Sequence, residues 1–122
     1  LTWDDCRTMA RKGMIIGSHC RAHVRLADLG AGTAMAELSE SKAAIEREVG
    51  AECGHFCPPY GIPEKDFFLE RDGTLARETG YRSLATGWRG AMRQGDDPFR
   101  LRRDHLIAGW GKHQLRYFLS LP

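Results

Sequence analysis

Five histidines and four cysteines make up the metal-binding and proton-transferring inventory of this 122-residue sequence. Two of the histidines, His19 and His23, stand in an H-x3-H spacing directly after the apolar run Met14-Ile15-Ile16 and the small pair Gly17-Ser18. That spacing puts two imidazoles on one side of a helical turn, or on either side of a tight loop, where both reach one cation. A divalent ion with an open coordination position acidifies bound water and polarises a carbonyl, which is the chemistry of metal-assisted hydrolysis. The plainer alternative is two solvent-facing loop histidines, because a pair of imidazoles without a third ligand is a weak metal signal. Their setting favours the ligand reading. Apolar residues, then small residues, then ligands is the order in which a parallel strand delivers chemistry at its C-terminal end.

Further along, Phe56-Cys57-Pro58-Pro59-Tyr60-Gly61 combines a double proline with an aromatic residue. The prolines can neither donate to a strand ladder nor continue a helix, so they stiffen the backbone that presents Tyr60. Cys53 and Cys57 allow a rival arrangement, a closed tetrahedral zinc site with His19 and His23 in a small binding module. Its C-x3-C spacing and the prolines after Cys57 are unlike the compact knuckles of such sites. Cys20, beside His19, reads as a small buried residue whose thiol points away from the imidazoles.

The elements that must position these residues follow from periodicity and punctuation. Thr2 and Asp5 read as a capped start for a helix with Trp3, Cys6, Met9 and Ala10 at helical spacing, stopped by Gly13. Residues 14–18 fit a short strand covered on both faces. After a glycine-rich loop over 26–33, Thr33 is the expected cap of a long helix ended by Gly50. Ala34, Leu38, Ser41, Ile45 and Val49 mark its inner face, with Glu37 and Glu40 outside. A strand over 55–57, a helix capped by Asp72 or Thr74 and ended by Gly80, and a strand over 81–86 come next. A polar loop over 87–98, a strand over 101–107 and a helix over 114–121 close the chain. This alternation is that of a parallel α/β fold with roughly four strands, too few to close a barrel, which needs about eight. The chain reads as a single partial domain, 1–122, of a longer protein.

Composition narrows the partners. The charge of +2, from 18 basic against 16 acidic residues, gives no reason to expect nucleic acid. No apolar stretch approaches the roughly 20 residues that span a bilayer, and no basic-then-apolar leader opens the sequence, so a soluble chain is the expectation. Free thiols are the default for the four cysteines, which leaves the compartment open.

Taken together, IIGSHCRAHVRL, FCPPYG and ETGYRSLAT followed by DPFRL resemble, in order and spacing, the motifs of the polysaccharide deacetylases of NodB-homology type. Those are metal-dependent enzymes on a deformed (β/α) barrel. The resemblance implies that His19 and His23 ligate a divalent ion, usually zinc, and that the substrate is an acetylated polysaccharide or glycan losing its acetyl group by amide, or ester, hydrolysis. It places Pro59 and Tyr60 on the active-site wall, with the Tyr60 N–H at the oxyanion. It also makes His105 the candidate general acid that protonates the departing amine. Trp88 and Trp110 then become candidates for stacking on sugar rings, with Trp88 the preferred one.

The family's first motif, an Asp-Asp pair on an upstream strand, supplies its base and third protein ligand. Asp4 and Asp5 imitate it, but they fall in the first turn of a capped helix, where carboxylates complement the helix dipole. Two ligands of three and no base are therefore expected within these residues. Asp104 follows the same logic of placement: next to His105 on a strand it would face the opposite side. A metal-free remnant with a glycan-binding role is the remaining alternative.

Overall fold

The computed structural model describes residues 1–107 and 109–120, without the side chains of residues 118 and 119. Helix α1 (Trp3–Arg11) begins as its sequence dictates, with a capping box. The Asp5 N–H donates to Thr2 Oγ1 (3.2 Å) and the Thr2 N–H to Asp5 Oδ2 (2.8 Å). Those bonds from Thr2, the backbone one foremost, hold the Asp5 carboxyl below its ordinary pKa. Asp4 pairs with Arg7 on the same helix (2.8 Å). Both acids are thus engaged at the helix start.

Helix α2 (Ala31–Val49) starts two residues before Thr33, with Gly30 as its cap, because the Ala34 N–H already donates to the Gly30 carbonyl (2.9 Å). It ends where expected, at Gly50, whose φ of 73° suits a residue without Cβ. Ala34, Leu38 and Ser41 are buried, and Ile45 packs at the margin of the core. Glu37, expected outside, is buried as well.

The sheet is short and wholly parallel. Strands β1 (His55–Phe56) and β2 (Ser83–Leu84) pair in register His55 to Ser83 and Phe56 to Leu84. Ser18 adds a parallel bridge to Phe56 on one side, and Leu101 one to Ala85 on the other. The expected strands over 14–18 and 101–107 therefore shrink to one bridged residue each. Within the first of these, Met14 and Ile15 are exposed, Ile15 at 74%, and Ile16 is half-buried, so the segment is not covered on both faces. Beyond Leu101 the charged residues Arg102 to His105 are exposed, and a solvated charged run gains little from pairing.

Helix α3 (Leu69–Glu78) also starts early, at Phe68 instead of Asp72 or Thr74. Asp72, wholly buried, reaches back to accept from the Phe68 N–H (2.8 Å), and Glu64 accepts from the Leu69 N–H (3.0 Å). The first turn is thus capped from within the helix and from the preceding loop. Leu26, Leu38, Phe56, Phe67, Leu84 and Tyr81 form the core between these helices and the sheet. Helix α4 (Lys112–Leu119) starts two residues before the expected 114 and so includes His113; the part of that expectation at Leu121 lies outside the described residues. No described helix is long and apolar enough to cross a membrane.

Asp72 has a second duty, accepting from Arg71 Nε (2.8 Å), while the Arg71 guanidinium donates to the carbonyls of Leu26 (2.7 Å) and Leu29 (2.8 Å) just after the histidine segment. Asp72→Ala removes a helix cap and an arginine's partner together, so equilibrium urea denaturation should show a loss of about 2–4 kcal/mol. Asp72→Asn, which keeps an acceptor for the Phe68 N–H, should recover part of it.

Candidate active site at the histidine loop

Residues 19–25 form a loop, the second of the two arrangements open to an H-x3-H pair. Two of its residues, Cys20 (φ 62°) and His23 (φ 53°), take left-handed backbone that non-glycine residues seldom adopt. The compensation comes from α2. One oxygen of the buried Glu37 carboxylate accepts from both the Arg21 and the Ala22 N–H, each at 2.9 Å. Charge-assisted bonds of this kind are about twice as strong as neutral ones. The Ser18 and Ser41 hydroxyls meet at 2.7 Å and tie the strand end to the same helix.

The Cys57 carbonyl lies 2.6 Å from His19 Nδ1. A carbonyl only accepts, so the proton resides on Nδ1 and the lone pair on Nε2, the arrangement that orients a metal-ligating imidazole. The His19 and His23 ring centroids are 4.9 Å apart. The His23 ring also meets the Tyr60 ring edge-on, at 5.4 Å. Cys20 is half-buried against the core, and burial foremost, then the charge of Glu37, pushes its thiol up to about 12. It stays a neutral thiol at physiological pH, in keeping with its reading as packing.

Tyr60 sits at the tip of the double-proline turn with φ 66°, its ring exposed above the buried Pro58 and Pro59. The turn is fastened by the next residue: the Gly61 N–H donates to the Pro59 carbonyl (2.8 Å), and the Gly61 carbonyl accepts from the Gly87 N–H (2.6 Å). A Cβ at Gly87 would stand 2.7 Å from the Gly61 oxygen, so this backbone approach requires glycine. Among the described residues no acceptor is paired with the Tyr60 N–H.

A cavity of about 460 Å³ opens beside Tyr60 and is lined also by Arg103, Asp104 and His105. His105 thus shares a space with Tyr60, although it stands on exposed coil instead of a strand. Asp104 pairs with Arg89 (2.9 Å). A second recess, of about 400 Å³, runs past His19, His55, Cys57 and Ser83 along the open face of the sheet. Trp88 borders neither; it lines a separate recess with Met92 and Arg100. Sequence reading missed two residues here. Glu37 fell on the polar stripe of α2, and Arg103, which borders both main spaces and donates from Nε to the Thr86 carbonyl (2.8 Å), was hidden in a charged run.

Among the described residues no group of three or more His, Cys, Asp and Glu side chains is placed to hold a metal ion. The closed site of His19, His23, Cys53 and Cys57 is therefore not formed; Cys53 is fully buried in the core. The two imidazoles, one with its tautomer fixed, fit part of a coordination sphere.

The sequence matches the polysaccharide deacetylase family over residues 2–84. The chain belongs to that family. Among solved structures it is similar to the Streptococcus pyogenes deacetylase PplD in complex with acetate, with TM-score 0.85 at 16% identity, covering 99% of this chain and 51% of that one. A de-N-acetylase from Aggregatibacter actinomycetemcomitans gives TM-score 0.73 at 20% identity, covering 97% of this chain and 53% of that one. The deacetylase domain of BpsB from Bordetella bronchiseptica gives 0.70 at 20% identity, over 84% and 48%. These likenesses establish the deacetylase-like α/β fold. The chain spans about half the length of the structures it matches. No curated protein matches its sequence.

Glu37→Gln replaces a charged acceptor by a neutral one under two backbone donors. Hydrogen exchange at the Arg21 and Ala22 amides should accelerate about tenfold, the equivalent of about 1.4 kcal/mol. Glu40→Gln, which touches only the Arg21 side chain, should leave both rates unchanged.

Proposed function

We propose that this chain is the metal-binding part of a hydrolase that removes acetyl groups from a polysaccharide or glycan, by cleaving amide and, in the same geometry, ester linkages. The observation that carries the reading is the convergence of His19, His23 and Tyr60, with the His19 tautomer set by the Cys57 carbonyl. Family membership supports it, as do the deacetylase and de-N-acetylase activities named for structures of the same fold.

His19, through Nε2, and His23 would hold a divalent ion, zinc by preference for imidazole donors. Such an ion supplies an acidified water and a polarised acetyl carbonyl when bound. The Tyr60 N–H, left without an acceptor among the described residues, is aimed by the strained turn to donate to the carbonyl oxygen as negative charge develops there. His105, across the cavity from Tyr60, is assigned to protonate the departing amine. Buried Pro59 forms the wall beneath the acyl group. Trp88, one recess away, is assigned to stacking on a sugar beyond the reacting one.

The base and third ligand come from elsewhere in the protein, since Asp4 and Asp5 are engaged in the cap of α1 and its ion pair. We read residues 1–122 as one partial domain, with the rest of a deformed (β/α) barrel supplied by the remainder of the protein. Four parallel strand positions and coverage of half of each structural relative support that reading.

In the full-length protein, His19→Ala and His23→Ala should each weaken zinc binding at least about a hundredfold in a competition titration and abolish acetate release from an N-acetylated glycan. Cys53→Ser should leave zinc uptake intact. Loss of zinc on the cysteine change with retention on the histidine changes would refute the proposal.

A further inference from the structure

Between the histidine loop and the Tyr60 turn lies an ion pair, Arg25 with Asp66. Arg25, two residues after His23, extends its guanidinium over the Tyr60 ring at 5.1 Å from the centroid. The Tyr60 ring is therefore in contact with both the His23 ring and a cation. Behind it, Arg25 Nε stands 3.1 Å from Oδ1 of Asp66, a carboxylate that is almost completely buried. The other Asp66 oxygen accepts from the Ile62 N–H (3.0 Å), and the Asp66 N–H donates to the Ile62 carbonyl (2.8 Å). The Asp66 carbonyl in turn accepts from the Ala27 N–H (3.0 Å). One residue thus joins the segment that follows the histidines to the segment that follows the tyrosine.

The geometry of the pair is a compromise. Arg25 Nε is buried and makes no directed hydrogen bond, although it lies at ion-pair distance from a carboxylate. An arginine serving only to neutralise Asp66 would align its N–H donors with the carboxylate, as arginine–carboxylate pairs do when nothing else constrains them. Here the guanidinium is turned to cover an aromatic face. The ring it covers belongs to a residue with φ 66° and 60% exposure, whose backbone is fastened by the double-proline turn while its exposed ring meets only the His23 ring and this guanidinium among the ring contacts of the described residues.

We propose that Arg25, anchored by Asp66, is a positioning residue that fixes Tyr60 against His23 and so sets the direction of the Tyr60 N–H. This rests on the deacetylase reading, because only there does that direction affect turnover. A displacement of about 1 Å of an aligned donor lowers a rate by as much as about a hundredfold, so the effect belongs in kcat.

The test uses the full-length, zinc-loaded protein with two readouts. In acetate-release kinetics on an N-acetylated glycan, Arg25→Ala should lower kcat about tenfold or more, with KM and zinc affinity within about twofold of wild type. Arg25→Lys, which keeps a cation over the ring, should restore most of kcat. In spectra with labelled histidine, the His23 ring resonance, shifted by the Tyr60 ring current, should move in Arg25→Ala in the same direction as in Tyr60→Leu. An unchanged kcat, a kcat loss explained by lost zinc, or an unmoved His23 resonance in Arg25→Ala would overturn the proposal. If wild type releases no acetate from any acetylated glycan, the deacetylase reading fails, and the His23 resonance still decides whether Arg25 holds Tyr60.

Discussion

The contact between His19 Nδ1 and the Cys57 carbonyl joins the sheet to the chemistry. Ser18 is locked to β1 by its N–H donating to the His55 carbonyl (2.8 Å) and its carbonyl accepting from the Cys57 N–H (2.9 Å). The next residue on one segment is His19, and the Cys57 carbonyl on the other accepts the hydrogen bond from its Nδ1–H. Sheet register therefore decides which imidazole nitrogen is free. A slip of one residue would turn the histidine toward the opposite face and leave the carbonyl without its donor.

Everything else at the site converges on keeping that loop and the opposing turn in unusual backbone conformations. Three non-glycine residues near the imidazoles, Cys20, His23 and Tyr60, have positive φ, and each such residue costs on the order of 1–3 kcal/mol unless its surroundings enforce it. On the histidine side the enforcement is a buried carboxylate with two backbone donors; on the tyrosine side it is two prolines and the Gly61 to Gly87 backbone contact. Strain concentrated at a site and held by a rigid helix and sheet is what a preorganised donor set requires. Helix α2 contributes most of that support, packing its apolar face on the core while turning Glu37 and Ser41 to the loop.

Much of this was legible in the sequence. The His19 and His23 pair, the Pro-Pro-Tyr turn, the capped α1 with two acids in its first turn and the parallel α/β alternation all follow from residue types at short range, which is where spacing carries information. What failed depended on long range. The strand over 14–18 follows from apolar, branched character and the one over 101–107 from its place in the alternation, but strands form only where a partner backbone lies beside them, and each segment has one at a single residue. Helices α2 and α3 start early because caps came from Gly30 and from reach-back by Asp72, neither of which resembles a conventional cap in sequence. Glu37 looked like solvent-facing helix surface until the loop folded over it. Arg25 and Arg103 were two arginines among many, and only placement distinguishes them.

The central proposal is that two imidazoles, and no thiolate, would hold a divalent cation at this site. X-ray absorption at the zinc edge of the full-length, zinc-loaded protein reads that donor set directly. The expected spectrum shows only nitrogen and oxygen neighbours at about 2.0–2.2 Å, with the multiple-scattering signature of two imidazoles that drops to one in His23→Ala. A sulfur neighbour at about 2.3 Å, or an imidazole count indifferent to His23, would contradict it.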